Sequence, residues 1–157
     1  MDFELNHIGW VVPDLEDASK MLSLLGLRKV TEPEPDPLQR VSACFFAAKD
    51  SPVFIELIVP TEEDSPVTNF LNKRGGGLHH LCFKVEDIER IASGFVKKGF
   101  QMVRPPVECI GYDRSFKRRT GQSTRVAFFL LPNRLLIELL QEGKDSMNGF
   151  DQHKNSP

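Results

Sequence analysis

HIGWVVPDLEDASKMLSLLGLRKV, residues 7–30, lies over HLCFKVEDIERIASGFVKKGFQMV, residues 80–103, at a constant offset of 73. At that offset His7 falls on His80, Asp14 on Asp87, Leu15 on Ile88, Gly26 on Gly99, Leu27 on Phe100 and Val30 on Val103. One matched histidine is chance; six matches in one order are a repeat, and a repeat of this length is a structural unit. Downstream, SACFF (42–46) resembles RVAFF (125–129), and FIEL (54–57) resembles LIEL (136–139), which sets Glu56 on Glu138 at an offset of 82. The second copy therefore carries about nine extra residues, placed between Val103 and Arg125.

Each copy spells the same elements. Apolar runs at Ile8–Val12 and Leu81–Val85 read as strands. PDLED and VEDIE then open helices, with Asp14 and Asp87 as N-caps accepting from free amides. Leu15, Ala18, Met21, Leu22 and Leu25 keep a helical spacing, as do Ile88, Ile91, Ala92, Phe95 and Val96. Gly26 and Gly99 stand where a helix end needs a left-handed residue. Three strands complete each copy, so the order is β-α-β-β-β, twice. The fold class is α+β.

Length and composition bound the rest. With 157 residues, 40% hydrophobic and 27% charged, the chain suits one domain with a real core, and ordinary apolar content excludes wholesale disorder. We expect a single domain over 1–142, with module one at 4–60, a linker helix at 61–76 and module two at 77–142; residues 143–157 read as a flexible tail. In the linker, Ser65-Pro66 starts a short helix through Asn72 that ends at Gly75–Gly77. TEPEPDP (31–37) reads as a loop, since repeated prolines block strand pairing. A net charge of −2 argues against nucleic acid as a partner, and no apolar run is long enough for a membrane. Cys44, Cys82 and Cys109, an odd count without CxxC spacing, point to a reduced, cytoplasmic compartment.

Four polar residues interrupt apolar strands: His7, Glu56, His80 and Glu138. A buried carboxylate needs a partner. A glutamate flanked by Ile55 and Leu57 also fits a half-buried strand by alternation, and a lone histidine is often structural. The repeat, however, makes the four into two equivalent pairs. Two imidazoles and two carboxylates suit a divalent first-row metal: Co, Ni, Mn, Zn or Fe. In GLHHL the repeat register selects His80 as ligand and leaves His79 a supporting role.

The paired modules with His…Glu…His…Glu resemble the vicinal oxygen chelate (glyoxalase/bleomycin resistance/dioxygenase) superfamily. Within it, EDSPVTNFLNKRGGGLHHLCFKVEDIE (63–89), HIGWVVPDLEDA and FIELIVP are most similar to the methylmalonyl-CoA epimerases. The resemblance spans about residues 6–141. It implies a cupped, mostly antiparallel eight-stranded sheet with helices outside, and metal ligands His7, Glu56, His80 and Glu138. It further implies a homodimer and an acyl-CoA thioester as small-molecule substrate. Glu138 first, and Glu56 second, are then the candidate bases for removing an α-proton. The chain departs from the epimerase pattern in two places. LLPNR stands where the family has HPK, and Ser42-Ala43-Cys44 stands where some epimerases carry a glutamate.

Two other functions stay open on the same ligands. Glyoxalase I-like lyases use the same four residue types, although the DPDG turn before their final IEL strand is missing here. A non-catalytic binding or resistance protein would hold a ligand without turnover. An extradiol dioxygenase fits less well, because its iron needs one carboxylate and Glu56 would be superfluous. The extra segment CIGYDRSFKRRTGQSTR (109–125) is the most basic part of the chain. It reads either as a solvated hairpin or as an anion clamp over the cup, with Arg114, Lys117, Arg118 and Arg119 gripping phosphates.

Overall fold

A computed structural model describes residues 3–119 and 121–144. The expected tail thus lies almost wholly outside the described residues. The first copy contains β1 (Glu4–Val11), α1 (Leu15–Leu24), β2 (Arg28–Lys29), β3 (Glu34–Asp36), β4 (Val41–Ala47) and β5 (Phe54–Pro60). After α2 (Thr68–Arg74), the second contains β6 (Gly77–Lys84), α3 (Ile88–Lys97), β7 (Gln101–Glu108), α4 (Ile110–Ser115), β8 (Arg125–Leu130) and β9 (Leu136–Gln141). All described strands join one sheet in the order β2-β4-β5-β1-β6-β9-β8-β7, eight strands long, with short β3 pairing β4 as a ninth.

The order is symmetric about β1 and β6. Those strands run antiparallel, with Gly9 opposite His80 and His7 opposite Cys82. β5 pairs β1 in parallel and β9 pairs β6 in parallel, so each glutamate-bearing strand flanks its own histidine strand.

The local signals act as read. Asp14 accepts from the Asp17 amide and Asp87 from the Arg90 amide, each at the first free turn of a helix. Gly26 and Gly99 take φ of 84° and 83°. Several details differ from the sequence reading: α2 starts at Thr68 and not at Ser65-Pro66, and Val96 of α3 is 49% exposed. Met21 and Leu25 are 60% and 71% exposed, because α1 lays only the Leu15–Ala18–Leu22 stripe on the sheet. The segment read as a loop at 31–37 contains β3, which pairs Glu34 with Ala43 and Asp36 with Val41. Pro35 is tolerated there because β3 has one neighbour, and an edge strand can turn the side lacking an N–H to solvent.

The two repeat helices cover one face of the sheet. Under α3 lie Val85, Ala127, Phe129 and Leu139; under α1 lie Cys44, Phe46 and Leu57. The short helices α2 and α4 belong to no repeat and pack on the opposite, cupped face, α4 through Tyr112 and Phe116 against Phe45. Phe129 is fully buried, edge-on to Phe95 at 5.2 Å. Phe129→Ala should cost about 3–5 kcal/mol in urea denaturation, while Leu24→Ser, at a site 88% exposed, should change stability by less than about 0.5 kcal/mol.

Candidate metal centre and cavity

His7, His80, Glu56 and Glu138 meet on the cupped face. Their ligand atoms lie within 4.8 Å of one another. His7 Nε2 stands 3.2 Å from His80 Nε2, 3.2 Å from Glu56 Oε2 and 3.1 Å from Glu138 Oε2. His80 Nε2 stands 2.9 Å from Glu138 Oε2 and 3.5 Å from Glu56 Oε2. The two histidines and Glu138 are buried; Glu56 is partly so.

These contacts test whether the residues fit a cation. Asn6 Oδ1 lies 2.8 Å from His7 Nδ1, and an amide oxygen only accepts, so His7 carries its proton on Nδ1 and turns the Nε2 lone pair inward. Glu138 Oε2 is buried with no hydrogen-bond partner, although two ring nitrogens are near it. Lone pairs facing one another at about 3 Å, in a buried place, call for a positive charge between them. Two nitrogens and two carboxylate oxygens suit a divalent first-row ion.

The ion's competitor is the proton. Burial opposes charge on His7, but Cys82, Glu56 and Glu138 outweigh it and raise the ring well above its ordinary value. Burial likewise opposes charge on Glu138, and His80 and His7 reverse it, holding the carboxyl well below the usual range. Burial, with His80 beside it, brings His79 down to about 4.

His80 reaches the cluster over a glycine. A Cβ on Gly9 would stand 2.2 Å from His80 Cε1, inside the ring's own space. Any side chain at position 9 therefore moves the ligand.

The cluster opens into a cavity of about 350 Å³. Ala43, Phe45, Ile58, Val67, Phe128 and Leu136 give it apolar walls. The segment 109–125 lines it through Cys109, Gly111, Tyr112 and Ser115 and not through its basic side chains. Arg114, Lys117, Arg118 and Arg119 are all absent from the lining; Arg114 sits on α4 between Tyr112 and Ser115, which face the cavity, and the other three follow the helix. Arg118 instead donates to the Gly143 carbonyl at 3.0 Å and pairs with Glu142 and Asp113. The cations on the cavity wall are Arg40 and Arg104, the latter held by Gln39 Oε1 and the Leu38 carbonyl.

Sequence reasoning also missed Glu34 and Asp36. Both line the cavity, yet the proline-rich segment gave no strand signal that would have turned them inward. Asp36 is occupied, accepting from the amides of Leu38, Gln39 and Gly111. Glu34 stands directly opposite Ala43 and shares its face of the sheet. The sequence of β4 showed no carboxylate there; the neighbouring strand supplies one.

The profile described as the Glyoxalase/Bleomycin resistance protein/Dioxygenase superfamily matches residues 6–116. The chain belongs to this superfamily. The mitochondrial methylmalonyl-CoA epimerase of Mus musculus is 38% identical over 95 residues, 60% of this chain and 52% of that protein. An uncharacterised protein of Bacillus subtilis, YqjC, is 32% identical over 151 residues, 92% of this chain and 96% of that one. Among solved structures, a methylmalonyl-CoA epimerase from Mycobacterium tuberculosis superposes with a TM-score of 0.70 at 27% identity, covering 88% of this chain and 87% of that one. The chain spans between half and two thirds of the length of the curated epimerases it first matches.

Two outcomes follow from the geometry. Gly9→Ala should leave the far-ultraviolet dichroism of the fold intact but weaken Co(II) binding at least as much as His80→Ala, measured by titration calorimetry. Because His7 must give up a proton whose pKa is raised, Co(II) affinity should rise from pH 6 to pH 8. The slope should be about tenfold per unit for each proton released. A flat profile would contradict the assigned ligand.

Proposed function

We propose that this protein is a metal-dependent epimerase that removes and returns the α-proton of an acyl-CoA thioester. One observation carries the reading: a cluster of two imidazoles and two carboxylates with its lone pairs turned inward, at the base of an apolar cavity. The likeness to methylmalonyl-CoA epimerases in sequence and structure supports the substrate class. His7, Glu56, His80 and Glu138 would hold the ion, which supplies Lewis acidity toward a carbonyl oxygen and so acidifies the neighbouring C–H.

The chain's own residues do the remainder. Glu138 is the first candidate to take the α-proton, with Glu56 second. Epimerisation also needs a proton delivered to the other face of the planar enolate. Glu34 suits that role. It lines the cavity from β3, away from the cluster strands, and its carboxylate has no hydrogen-bond or ion-pair partner among the described residues. Phe45, Phe128 and Tyr112 keep water from the acyl group. A 350 Å³ space holds the acyl end and not the nucleotide. The phosphates then lie outside it, and Arg40 and Arg104 replace the basic run at 114–119 as their first contacts.

The homodimer and the cytoplasmic compartment belong to the same reading. The three cysteines are free thiols, which supports a reducing compartment. No helix among the described residues is long and apolar enough to cross a membrane.

Proton–deuterium exchange in heavy water separates the steps, using Co(II)-loaded protein and methylmalonyl-CoA. Wild type should both exchange and epimerise. Glu138→Gln should lose about 10²–10⁴-fold in exchange with little change in substrate affinity. Glu34→Gln should keep exchange and lose net epimerisation. Wild-type exchange in Glu138→Gln would defeat the assigned base. Turnover of a glutathione hemithioacetal without thioester exchange would favour the lyase.

A further inference from the structure

Each candidate ligand histidine follows a residue that has no partner in the β1–β6 ladder. Pairing runs from Leu5 with Phe83 directly to His7 with Cys82, so Asn6 is an extra residue on β1. It then runs from Gly9 with His80 to Trp10 with Leu78, so His79 is an extra residue on β6. Asn6 and His79 are themselves related by the 73-residue offset. The two bulges are images of one another.

A bulge turns two successive side chains toward one side, where regular pleating would oppose them. The consequence is the same in both copies. Asn6 Oδ1 lies 2.8 Å from His7 Nδ1, and His79 Nδ1 lies 3.0 Å from His80 Nδ1. Both contacts take the ring nitrogen that faces away from the cluster. Asn6 is buried, and its amide nitrogen donates to the Tyr112 hydroxyl at 3.4 Å. The Tyr112 hydroxyl turns its own proton to Glu142 Oε1 at 3.5 Å and so accepts from the amide nitrogen, which leaves the amide oxygen facing His7. Were the amide reversed, its N–H would donate to His7 Nδ1 and place the ring proton on Nε2, where no cation could be held. His79 is wedged edge-on against Phe70 at 5.0 Å, which sets its ring over that of His80.

We infer that Asn6 and His79 are the matched positioning residues of the metal centre. Each accepts the Nδ1 proton of the adjacent histidine and so presents its Nε2 lone pair to the ion. Neither belongs to the ligand set of His7, Glu56, His80 and Glu138. The inference rests on the metal-centre reading and adds to it two residues outside the ligand set. A residue that orients a ligand in this way is worth about 10–100-fold in metal affinity.

The test is a Co(II) titration by calorimetry, with the visible spectrum of bound Co(II) as a second readout. The proteins are wild type, Asn6→Leu, Asn6→Asp, His79→Leu and His79→Asn. Asn6→Leu and His79→Leu should bind about 10–100-fold more weakly and shift the spectrum. Asn6→Asp keeps the acceptor, and His79→Asn copies the module-one arrangement; both should stay within about threefold of wild type. In Zn(II)-loaded wild type, nitrogen-15 spectra should show protected Nδ1–H signals for His7 and His80, a measurement that holds even if a leucine variant fails to fold. Wild-type affinity and spectrum in both leucine variants would overturn the positioning role while leaving the metal centre standing. Nε2–H signals in the Zn(II) form would also overturn it. No Co(II) binding by wild type would overturn the metal-centre reading and this inference together.

Discussion

The antiparallel pairing of β1 with β6 is the constraint on which everything else in this protein depends. Two copies of one unit meet there, with Gly9 opposite His80 and His7 opposite Cys82. A one-residue register slip of either strand would send its imidazole to the helix-covered face and leave the other behind, since side chains alternate with a period of two. The parallel contacts of β5 on β1 and β9 on β6 then carry Glu56 and Glu138 to the same place. Symmetry supplies the cluster from one local design used twice.

What gathers at that seam is unfavourable by itself. Ionised carboxylates and inward lone pairs in an apolar surround are destabilising unless a cation or protons neutralise them. The raised His7 and the lowered Glu138 describe one cluster from two sides, an imidazole that holds its proton and a carboxyl that gives its proton up. Space is as tightly set as charge. Gly9 is small because the His80 ring occupies the volume a side chain would take.

The second copy's extra residues break the symmetry and shape the cavity. Asp36 accepts from the Gly111 amide at the start of α4, and a Cβ on Gly111 would stand 2.7 Å from Asp36 Cβ, so the Asp36 side chain lies directly on the helix backbone. Asp113 accepts from both the amide and the hydroxyl of Thr124, fully buried before β8. Arg118 closes the far side on Glu142 and the Gly143 carbonyl. Charges in this segment therefore hold a short helix over the cup, and Tyr112 brings that helix to the Asn6 amide next to a ligand histidine.

The repeat made the helices, their aspartate caps, their glycine ends and the four polar strand residues legible in the sequence, because each is set by local backbone chemistry or by a period of two or 3.6 residues. The superfamily resemblance rests on those same residues, and the epimerase likeness adds the linker at 63–77. Tertiary structure alone decided the rest. No local rule says that the proline-bearing 34–36 segment pairs an edge, so Glu34 surfaced in the cavity only once β3 lay beside β4. The basic run at 114–119 reads as an anion clamp because charge can be counted in sequence, whereas direction cannot; in the structure Arg118 is taken up by Glu142, Asp113 and the Gly143 carbonyl, and the cations on the cavity wall are Arg40 and Arg104. The bulges at Asn6 and His79 exist only between strands 73 residues apart, and a ladder irregularity has no signature in either strand alone. Local energetics fixed which residues could serve, and long-range pairing fixed which of them meet.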